Sequence, residues 1–272
     1  MDPDFLLTLA LYLIPPAAVA GVIAGLLGVG GGIVLVPTFL LTFGALGYDS
    51  PWLMQICLGT SLATIIVTSV RSLGKHKARG AVDVSILRSW APGIACGALI
   101  GVVVANWLSS ATLEAIFGGL TICIGLWLAL GRSDRRLGDE MPTGSLRVAL
   151  ATATGLLSTL LGIGGGSIGV PLMTAFGRPV HVAVGTAAGF GLLIAVPSVA
   201  GFLLSTIPAE ARPPLTIGSV NVLAFLIVVS VTWLTTPLGV ALAHRLDAAV
   251  LRRGFGVFLL LVGTRMIWRA LS

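Results

Sequence analysis

Two nearly identical glycine-rich segments carry the residues of this sequence best suited to bind a ligand. The first is LLGVGGGIVLVP, residues 26–37, and the second is LLGIGGGSIGVP, residues 160–171. Three consecutive glycines disfavour a helix by up to about 1 kcal/mol each relative to alanine. Glycine also lets a ligand approach the backbone closely, and the free N–H groups at a helix N-terminus attract anions. We therefore expect each segment to interrupt a helix and to offer backbone N–H groups to an anion.

Hydroxyl side chains follow a glycine at one matching point in each half of the chain. Thr60 and Ser61 lie in LGTSLA, and Thr186 lies in VGTAAG. Hydroxyls donate hydrogen bonds to oxyanions without adding a permanent charge, so these residues are candidates for the same site. The alternative is that the small residues only let helices approach one another closely.

Ionisable residues inside apolar runs are rare, and three of them are candidates for gating or proton coupling. Asp83 begins an apolar run, Arg88 follows about one turn later, and His181 begins another run. Each also has a structural interpretation: a helix cap for Asp83, snorkelling for Arg88 and an interfacial position for His181. The cysteines are scattered, so the sequence predicts neither a metal site nor a catalytic set.

The composition decides what kind of scaffold holds these residues. The chain has 272 residues, of which 56% are hydrophobic and only 10% are charged, with a mean hydropathy of +1.06. Soluble domains carry about 25% charged residues. Apolar runs of membrane-spanning length recur throughout, which predicts an all-α polytopic membrane protein. The net charge of +6 lies mainly in short connections, as in membrane topology signals rather than nucleic-acid binding. The N-terminus lacks a basic region, so we expect no cleaved signal peptide.

The chain divides into two homologous halves. Besides the glycine segments, GAVDV at residues 80–84 parallels GSVNV at residues 218–222, and residues 101–118 parallel residues 239–256. We therefore predict a first transmembrane repeat at 1–131, a linker at 132–144 and a second repeat at 145–272. Each repeat reads as a glycine-broken hairpin plus three long apolar runs, giving 8–10 membrane segments in total.

The loop charges predict that the second repeat is inverted relative to the first. RSLGKHKARG, residues 71–80, and the arginine-rich linker are basic and are therefore expected in the cytoplasm. The equivalent of the first basic segment, TIPAEARPPLTIGS, is nearly neutral, whereas AHRLDAAVLRRG, at the end of the next run, is basic. This reversal places both termini in the periplasm and the linker in the cytoplasm. Inverted repeats with interrupted helices are the sequence pattern of transporters that bind substrate near the bilayer midplane.

These motifs also identify a family resemblance. The paired glycine segments, LGTS, GAVD, GSVN and LGVALAHRL resemble the sulfite exporter TauE/SafE family, also called TSUP, over nearly the whole chain. The resemblance implies a bacterial inner-membrane transporter that moves sulfite or organosulfur anions such as sulfoacetate or thiosulfate, often outward. Matched by motif, the substrate-binding positions are Gly30, Gly31, Gly32, Thr60, Ser61, Gly164, Gly165, Gly166, Ser167 and Thr186.

The two repeats differ at two of these positions, and other functions remain open. Ser167 corresponds to Ile33, and Ser61 corresponds to Ala187, so we expect an asymmetric site. An anion channel and an intramembrane hydrolase using Ser167 with His181 or His244 are the alternatives. The expected partners are a small sulfur oxyanion, the lipid bilayer and protons as a coupling ion, with no cofactor and no nucleic acid. The sequence does not fix the oligomeric state.

Overall fold

The structure is a computed structural model that describes residues 3–27, 31–130, 137–243 and 248–271. In the first half the helices are α1 Pro3–Leu27, α2 Gly32–Ala45, α3 Leu53–Ala78, α4 Val84–Trp107 and α5 Ser110–Leu130. In the second half they are α6 Gly144–Leu160, α7 Gly166–Ala175, α8 Val180–Leu203, α9 Val222–Ala243 and α10 Ala248–Leu271. The prediction of an all-α polytopic membrane protein is confirmed.

Six of the described helices are long and apolar enough to cross a membrane, three in each half. They are α3, α4 and α5, followed by α8, α9 and α10. The helices that follow the glycine segments are shorter, with 14 residues in α2 and 10 in α7. Ten residues of helix rise about 15 Å, which is half the thickness of a hydrocarbon core of about 30 Å.

The contacts between the halves stay the same when each helix is replaced by its counterpart in the other half. Helix α3 packs on its counterpart α8, and α5 packs on its counterpart α10. Helix α1 packs on α9, while α6, the counterpart of α1, packs on α4, the counterpart of α9. Each half therefore completes its packing with helices of the other half.

Glycine contacts give the relative direction of these helix pairs. In the α3–α8 pair, Gly59 lies against Phe202, Ser69 against Gly191 and His76 against Gly185. Residue numbers rise along one helix as they fall along the other, so α3 and α8 are antiparallel. In the α5–α10 pair, Gly118 lies against Gly263 and Gly125 against Gly256, which is again antiparallel.

Two connections differ from the expectation of simple loops. The basic segment at 71–80 continues α3 as far as Ala78, because Lys75, His76 and Lys77 in the last turn interact favourably with the helix dipole. Its equivalent in the second half holds a short 3₁₀ helix, Ala209–Ala211, and a hairpin of β1 Thr216–Ile217 with β2 Val220–Asn221.

The buried core is centred on α3 and α8. Of the most apolar part of α3, 78% is buried within the protein, compared with 22% of α9. Aromatic rings join the layers, and Trp90 of α4 stacks on Phe190 of α8 with ring centroids 5.9 Å apart. Large exposed apolar side chains such as Leu234 and Leu261 lie on α9 and α10, where lipid would surround them.

Candidate functional site

Two equivalent hydrogen bonds join the halves through threonine hydroxyls. Thr60 Oγ1 in α3 accepts a hydrogen bond from the backbone N–H of Asn221, 2.9 Å away at the start of α9. Thr186 Oγ1 in α8 accepts one from the backbone N–H of Asp83, also 2.9 Å away, at the start of α4. Both threonines are fully buried. Each threonine therefore holds the beginning of a helix from the other half.

The glycine before each threonine makes the same contact possible. A side chain on Gly59 would collide with the carbonyl of Ser219, and one on Gly185 would collide with the carbonyl of Ala81. The repeated Gly-Thr dipeptide is thus the point where each central helix receives the connection that leads into a helix of the other half.

The two threonines do not lie together. Because Gly185 of α8 lies beside His76 of α3, Thr186 is about 15 residues of helix from Thr60 along the pair, or roughly 22 Å. A single small anion cannot contact both hydroxyls in this arrangement. The proposed role of Thr60 and Thr186 in substrate binding stays a prediction. The two threonines lie at different heights along the α3–α8 pair.

The first glycine segment ends in a left-handed residue that starts α2. Gly31 has φ 71° and is the N-cap of the helix, a conformation that disfavours side chains. A Cβ on Gly32 would lie 2.5 Å from the carbonyl oxygen of Gly162 and 3.0 Å from the Cα of Ile163. The two glycine segments therefore contact each other. Gly30 lies outside the described residues.

The second glycine segment is described completely. Helix α6 ends at Leu160, and Gly162, with φ 58°, packs against Val36 of α2 and Leu58 of α3. Gly164, Gly165 and Gly166 are all buried. A Cβ on Gly165 would lie 2.8 Å from both the Ala187 carbonyl oxygen and the Gly191 nitrogen of α8, so the segment fits only without side chains.

Ser61 connects the first half to the second break. Its hydroxyl donates a 2.7 Å hydrogen bond to the carbonyl oxygen of Gly162 and is fully buried. Thr60 in turn donates to the carbonyl oxygen of Ile56 at 2.7 Å. The hydrogens of both hydroxyls are therefore engaged by the backbone in this conformation.

Ser167 differs from these residues. Its hydroxyl oxygen is shielded from solvent and has no hydrogen-bond partner among the described residues. Ser167 is the second residue of α7, whose backbone bond from Gly169 N to Gly165 O is 2.7 Å long. The N–H groups before Gly169 lie at the open end of the helix, where they carry partial positive charge. Ser167 thus adds an available donor to a helix N-terminus.

Sequence reasoning missed Ser158, on the other side of the same break. Its hydroxyl is fully buried and likewise lacks a partner in the described part of the chain, while its carbonyl oxygen accepts a hydrogen bond from Ile163 N. Buried hydroxyls are usually hydrogen-bonded, so two unpaired ones beside one break indicate a polar site. A serine two residues before the second glycine segment was the available signal.

Asp83 acts as the N-cap of α4. Its Oδ1 accepts hydrogen bonds from Ser85 N at 3.0 Å and Ile86 N at 3.1 Å. Burial raises the pKa of this carboxyl, but the hydrogen bonds from Ser85 and Ile86 and the nearby Arg178 outweigh it and hold the pKa below its usual value. The geometry supports the capping role over proton coupling, because such a carboxylate stays ionised at neutral pH.

Arg88 and His181 lie outside the buried site. Both side chains are exposed, Arg88 as the fifth residue of α4 and His181 as the second residue of α8. The structure does not bring them to the glycine breaks, and their proposed role in gating stays a prediction.

A further connection between the halves was also missed. Glu114 of α5 is buried, and its carboxylate lies 3.4 Å from Arg269 Nε of α10. Glu114 is the only buried charged side chain among those whose exposure the structure describes. Glu114 lies near the start of an apolar run, where a charged residue is ordinary at the end of a membrane span. The arginine that pairs with it is 155 residues away in the sequence, so the pair was not visible.

The arrangement defines the class of protein. Two helical halves that meet at glycine-interrupted helices form an architecture found among membrane transporters. The chain belongs to the sulfite exporter TauE/SafE family, because the sequence model of that family matches residues 13–266.

Curated relatives support the same class across nearly the whole chain. A probable membrane transporter protein of Haemophilus influenzae is 29% identical over 92% of this chain and 94% of its own length. The probable membrane transporter protein YunE of Bacillus subtilis is 30% identical over 93% and 95%, respectively. A probable membrane transporter protein of Xylella fastidiosa is 31% identical over 92% of both chains. No solved structure matches the chain. The protein is therefore a multi-pass membrane transporter.

Proposed function

We propose that this transporter exports small sulfur-containing anions, such as sulfite or an organosulfonate like sulfoacetate, by alternating access. The anion binds where the two glycine breaks meet between the halves. In this proposal the donors are the backbone N–H groups at the start of α7, helped by the start of α2. Ser167 supplies the hydroxyl donor.

The free hydroxyl of Ser167 is the observation that carries this proposal. Of the predicted hydroxyls, Thr60 and Ser61 already donate to backbone carbonyls, whereas the Ser167 hydroxyl has no hydrogen-bond partner among the described residues. An unpaired buried donor costs stability unless a ligand satisfies it. The donor lies at a helix N-terminus, where a ligand with acceptor oxygens and negative charge is favoured.

The charge of the substrate follows from the neutrality of the donors. Among the charged side chains whose exposure the structure describes, only Glu114 is buried, and it is paired with Arg269. A cradle of backbone and hydroxyl donors compensates one negative charge more easily than two, because burying uncompensated charge is costly. We therefore propose that the monovalent anion, or the anion together with a proton, is the transported species. The family description supports sulfur as the central atom.

The inverted arrangement of the repeats is part of the proposal. The antiparallel packing of α3 on α8 and of α5 on α10 supports it, because equivalent helices of an inverted repeat run in opposite directions. We place both termini in the periplasm, the linker in the cytoplasm and the protein in the bacterial inner membrane. Cysteine labelling tests this after Cys96 and Cys123, which are exposed, are replaced by serine. Lys77→Cys should react only from the cytoplasm and Glu210→Cys only from the periplasm. Reaction of both variants from the same side of the membrane would disprove the inversion.

The alternative functions have weaker support. A hydrolase needs a base within hydrogen-bond reach of its nucleophile, but the Ser167 hydroxyl has no such partner among the described residues. Of the two histidines considered, His181 is exposed and His244 lies outside the described residues. A channel fits the same architecture, and it differs from a carrier in lacking saturation and counter-transport.

Flux measurements on purified protein in liposomes test the proposal directly. We expect saturable transport of sulfite, thiosulfate or sulfoacetate, with slower transport of sulfate and taurine. Preloading with the same anion should accelerate uptake if the protein is a carrier. The flux should also rise on acidification by more than the change in sulfite speciation accounts for.

The outcomes separate the parts of the proposal. Saturable transport of sulfur anions without additional pH dependence would disprove proton coupling and leave the substrate class intact. Transport of none of the sulfur anions would disprove the substrate assignment. Flux that does not saturate and shows no counter-transport would favour the channel.

A further inference from the structure

A groove opens on the outer surface of the protein between α2 and α10. It has a volume of about 790 Å³. Leu41 forms the α2 wall, and Val257, Leu260 and Leu261 form the apolar part of the α10 wall. The α10 residues recur at spacings of three and four, so they form one continuous stripe along the helix.

The length of the groove matches one leaflet of a bilayer. Eleven residues of α10 separate Val257 from Trp268, which corresponds to roughly 16 Å of helix. Half of a hydrocarbon core of about 30 Å is about 15 Å. Trp268 is 77% exposed and lies three residues before the last residue of the helix, Leu271, and tryptophan is typical of the membrane–water interface. The Val257 end therefore lies at acyl-chain depth and the Trp268 end at headgroup depth.

Two arginines lie at the headgroup end, and they differ in their partners. Arg269 pairs with Glu114, and its guanidinium lies 3.4 Å from a Cβ position on Gly44 of α2, which closes the groove. Arg265, one turn earlier on α10, is exposed and has no ion pair or hydrogen bond with any other residue in the described part of the chain. Within the described ranges, Arg265 is thus a cation without a counter-ion at the edge of an apolar groove.

We propose that this groove binds an anionic glycerophospholipid. The phosphate contacts the Arg265 guanidinium, and one acyl chain lies along the stripe from Leu261 to Val257. Arginine is suited to this role because its planar donors match phosphate oxygens. A second copy of the chain is a poorer occupant, because a two-fold interface through this face would bring the two copies of Arg265 toward each other.

Native mass spectrometry of the purified full-length protein with added lipid tests this site. We expect phosphatidylglycerol to bind more tightly than phosphatidylcholine. Arg265→Gln should weaken phosphatidylglycerol binding about fivefold, the effect of one basic residue on an anionic lipid, and should leave phosphatidylcholine unchanged. Arg79→Gln is the matched control, because Arg79 is also exposed but lies at the end of α3, away from the groove. Leu261→Trp should fill the groove and weaken the binding of both lipids.

Two results would overturn the assignment. Equal phosphatidylglycerol binding by wild type and Arg265→Gln would show that the arginine does not hold the headgroup. A wild-type dimer that Leu261→Trp converts to a monomer, without a change in lipid binding, would show that a second copy covers the groove. Neither measurement depends on transport, so the result is independent of the substrate of the protein.

Discussion

The two glycine breaks occupy equivalent positions in the two halves, but their polar chemistry differs. Before α2, Gly31 is left-handed and is followed two residues later by Ile33, which is 1% exposed. Before α7, Gly165 has helical dihedral angles, and the equivalent position holds Ser167 with an unpaired hydroxyl. Among the residues that the structure describes at the two breaks, only the second break has a buried side-chain donor without a hydrogen-bond partner. The two breaks therefore share the same helix arrangement but differ in the polar groups that they offer to a ligand.

The threonine contacts show the opposite behaviour. Thr60 with Asn221 and Thr186 with Asp83 form the same hydrogen bond at the same distance of 2.9 Å. Positions that hold the halves together are equivalent, whereas positions near the proposed anion are not. The comparison indicates that the contacts between the halves are equivalent, whereas the binding chemistry that we propose is concentrated in the second half.

The largest expected effect is the loss of transport in Gly165→Val. A valine side chain there would overlap the Ala187 carbonyl and the Gly191 nitrogen, because even a Cβ would lie 2.8 Å from each. We expect flux to fall to background while the protein still inserts in the membrane. Flux in liposomes and the elution profile in detergent measure the two quantities, and Gly165→Ala serves if the valine variant aggregates.

Gly74→Val is the matched control, since a Cβ on Gly74 of α3 meets nothing within 4 Å. It should transport at the wild-type rate. Normal flux in Gly165→Val, with a normal elution profile, would show that the second break does not form the anion site.

The next effect concerns the asymmetry itself. Ser167→Ala removes a hydroxyl without adding bulk and should weaken anion binding about tenfold, as expected for one hydrogen bond to a charged group. Ile33→Val, at the equivalent position of the first break, should leave affinity unchanged. Isothermal titration with sulfite measures both. Equal losses of affinity would mean that the two breaks contribute alike, and no loss in either would remove Ser167 from the site.

Removing the hydroxyl of Thr60 or of Thr186 should lower the stability of the protein by a similar amount. Thr60→Val leaves the buried backbone N–H of Asn221 without its acceptor, and Thr186→Val does the same to the part-buried N–H of Asp83. Each loss costs about 1–3 kcal/mol. The thermal unfolding midpoint in detergent should fall by a similar amount in each variant, and a sulfite titration of the same variants tests whether either threonine also contacts the substrate. Because the two contacts are equivalent, a drop in only one variant would contradict the symmetric scaffold. A loss of sulfite affinity in a variant that remains stable would place that threonine in the substrate site.

The smallest effect is the pH dependence introduced by Asp83. Its pKa in the folded protein lies below the usual value of about 3.9, so its stabilisation is complete above that pH and is lost as the pH falls through the lowered pKa. Asn caps helices about as well as Asp, and Asn221 is its equivalent in the second half. Asp83→Asn should therefore keep the stability at neutral pH and flatten its decline below about pH 4. An unchanged acid profile would show that other groups control it.

Much of the fold was predictable because apolar length and repetition are local signals. The six long spans, the glycine breaks and the short helices after them follow from runs visible in the sequence, and residues 71–78 were misjudged only because basic residues suggested a loop. The same charges that mark a cytoplasmic connection also stabilise the C-terminal turn of a helix.

The partners within the candidate site were less predictable. The glycines of the breaks were identified from their spacing, but the use of each hydroxyl depends on contacts distant in sequence. Ser61 and Gly162 are 101 residues apart, and Asn221 and Thr60 are 161 apart. A single sequence does not show that the hydrogens of Thr60 and Ser61 are already used, that Ser158 is unpaired or that Glu114 meets Arg269.

The crossed threonine contacts also constrain how the chain assembles during synthesis. The backbone N–H of Asp83 at the start of α4 cannot form its hydrogen bond until Thr186, 103 residues later, has been synthesised. Thr60 likewise cannot accept its hydrogen bond until Asn221, 161 residues later, has been synthesised. At about 5–20 residues per second, the first wait alone lasts roughly 5–20 s. The first half therefore enters the bilayer before its partner helices exist, and it reaches its final packing only after α8, α9 and α10 have been made. A ribosome that stops at the linker would leave an open half-protein, exposed to the quality-control proteases of the membrane.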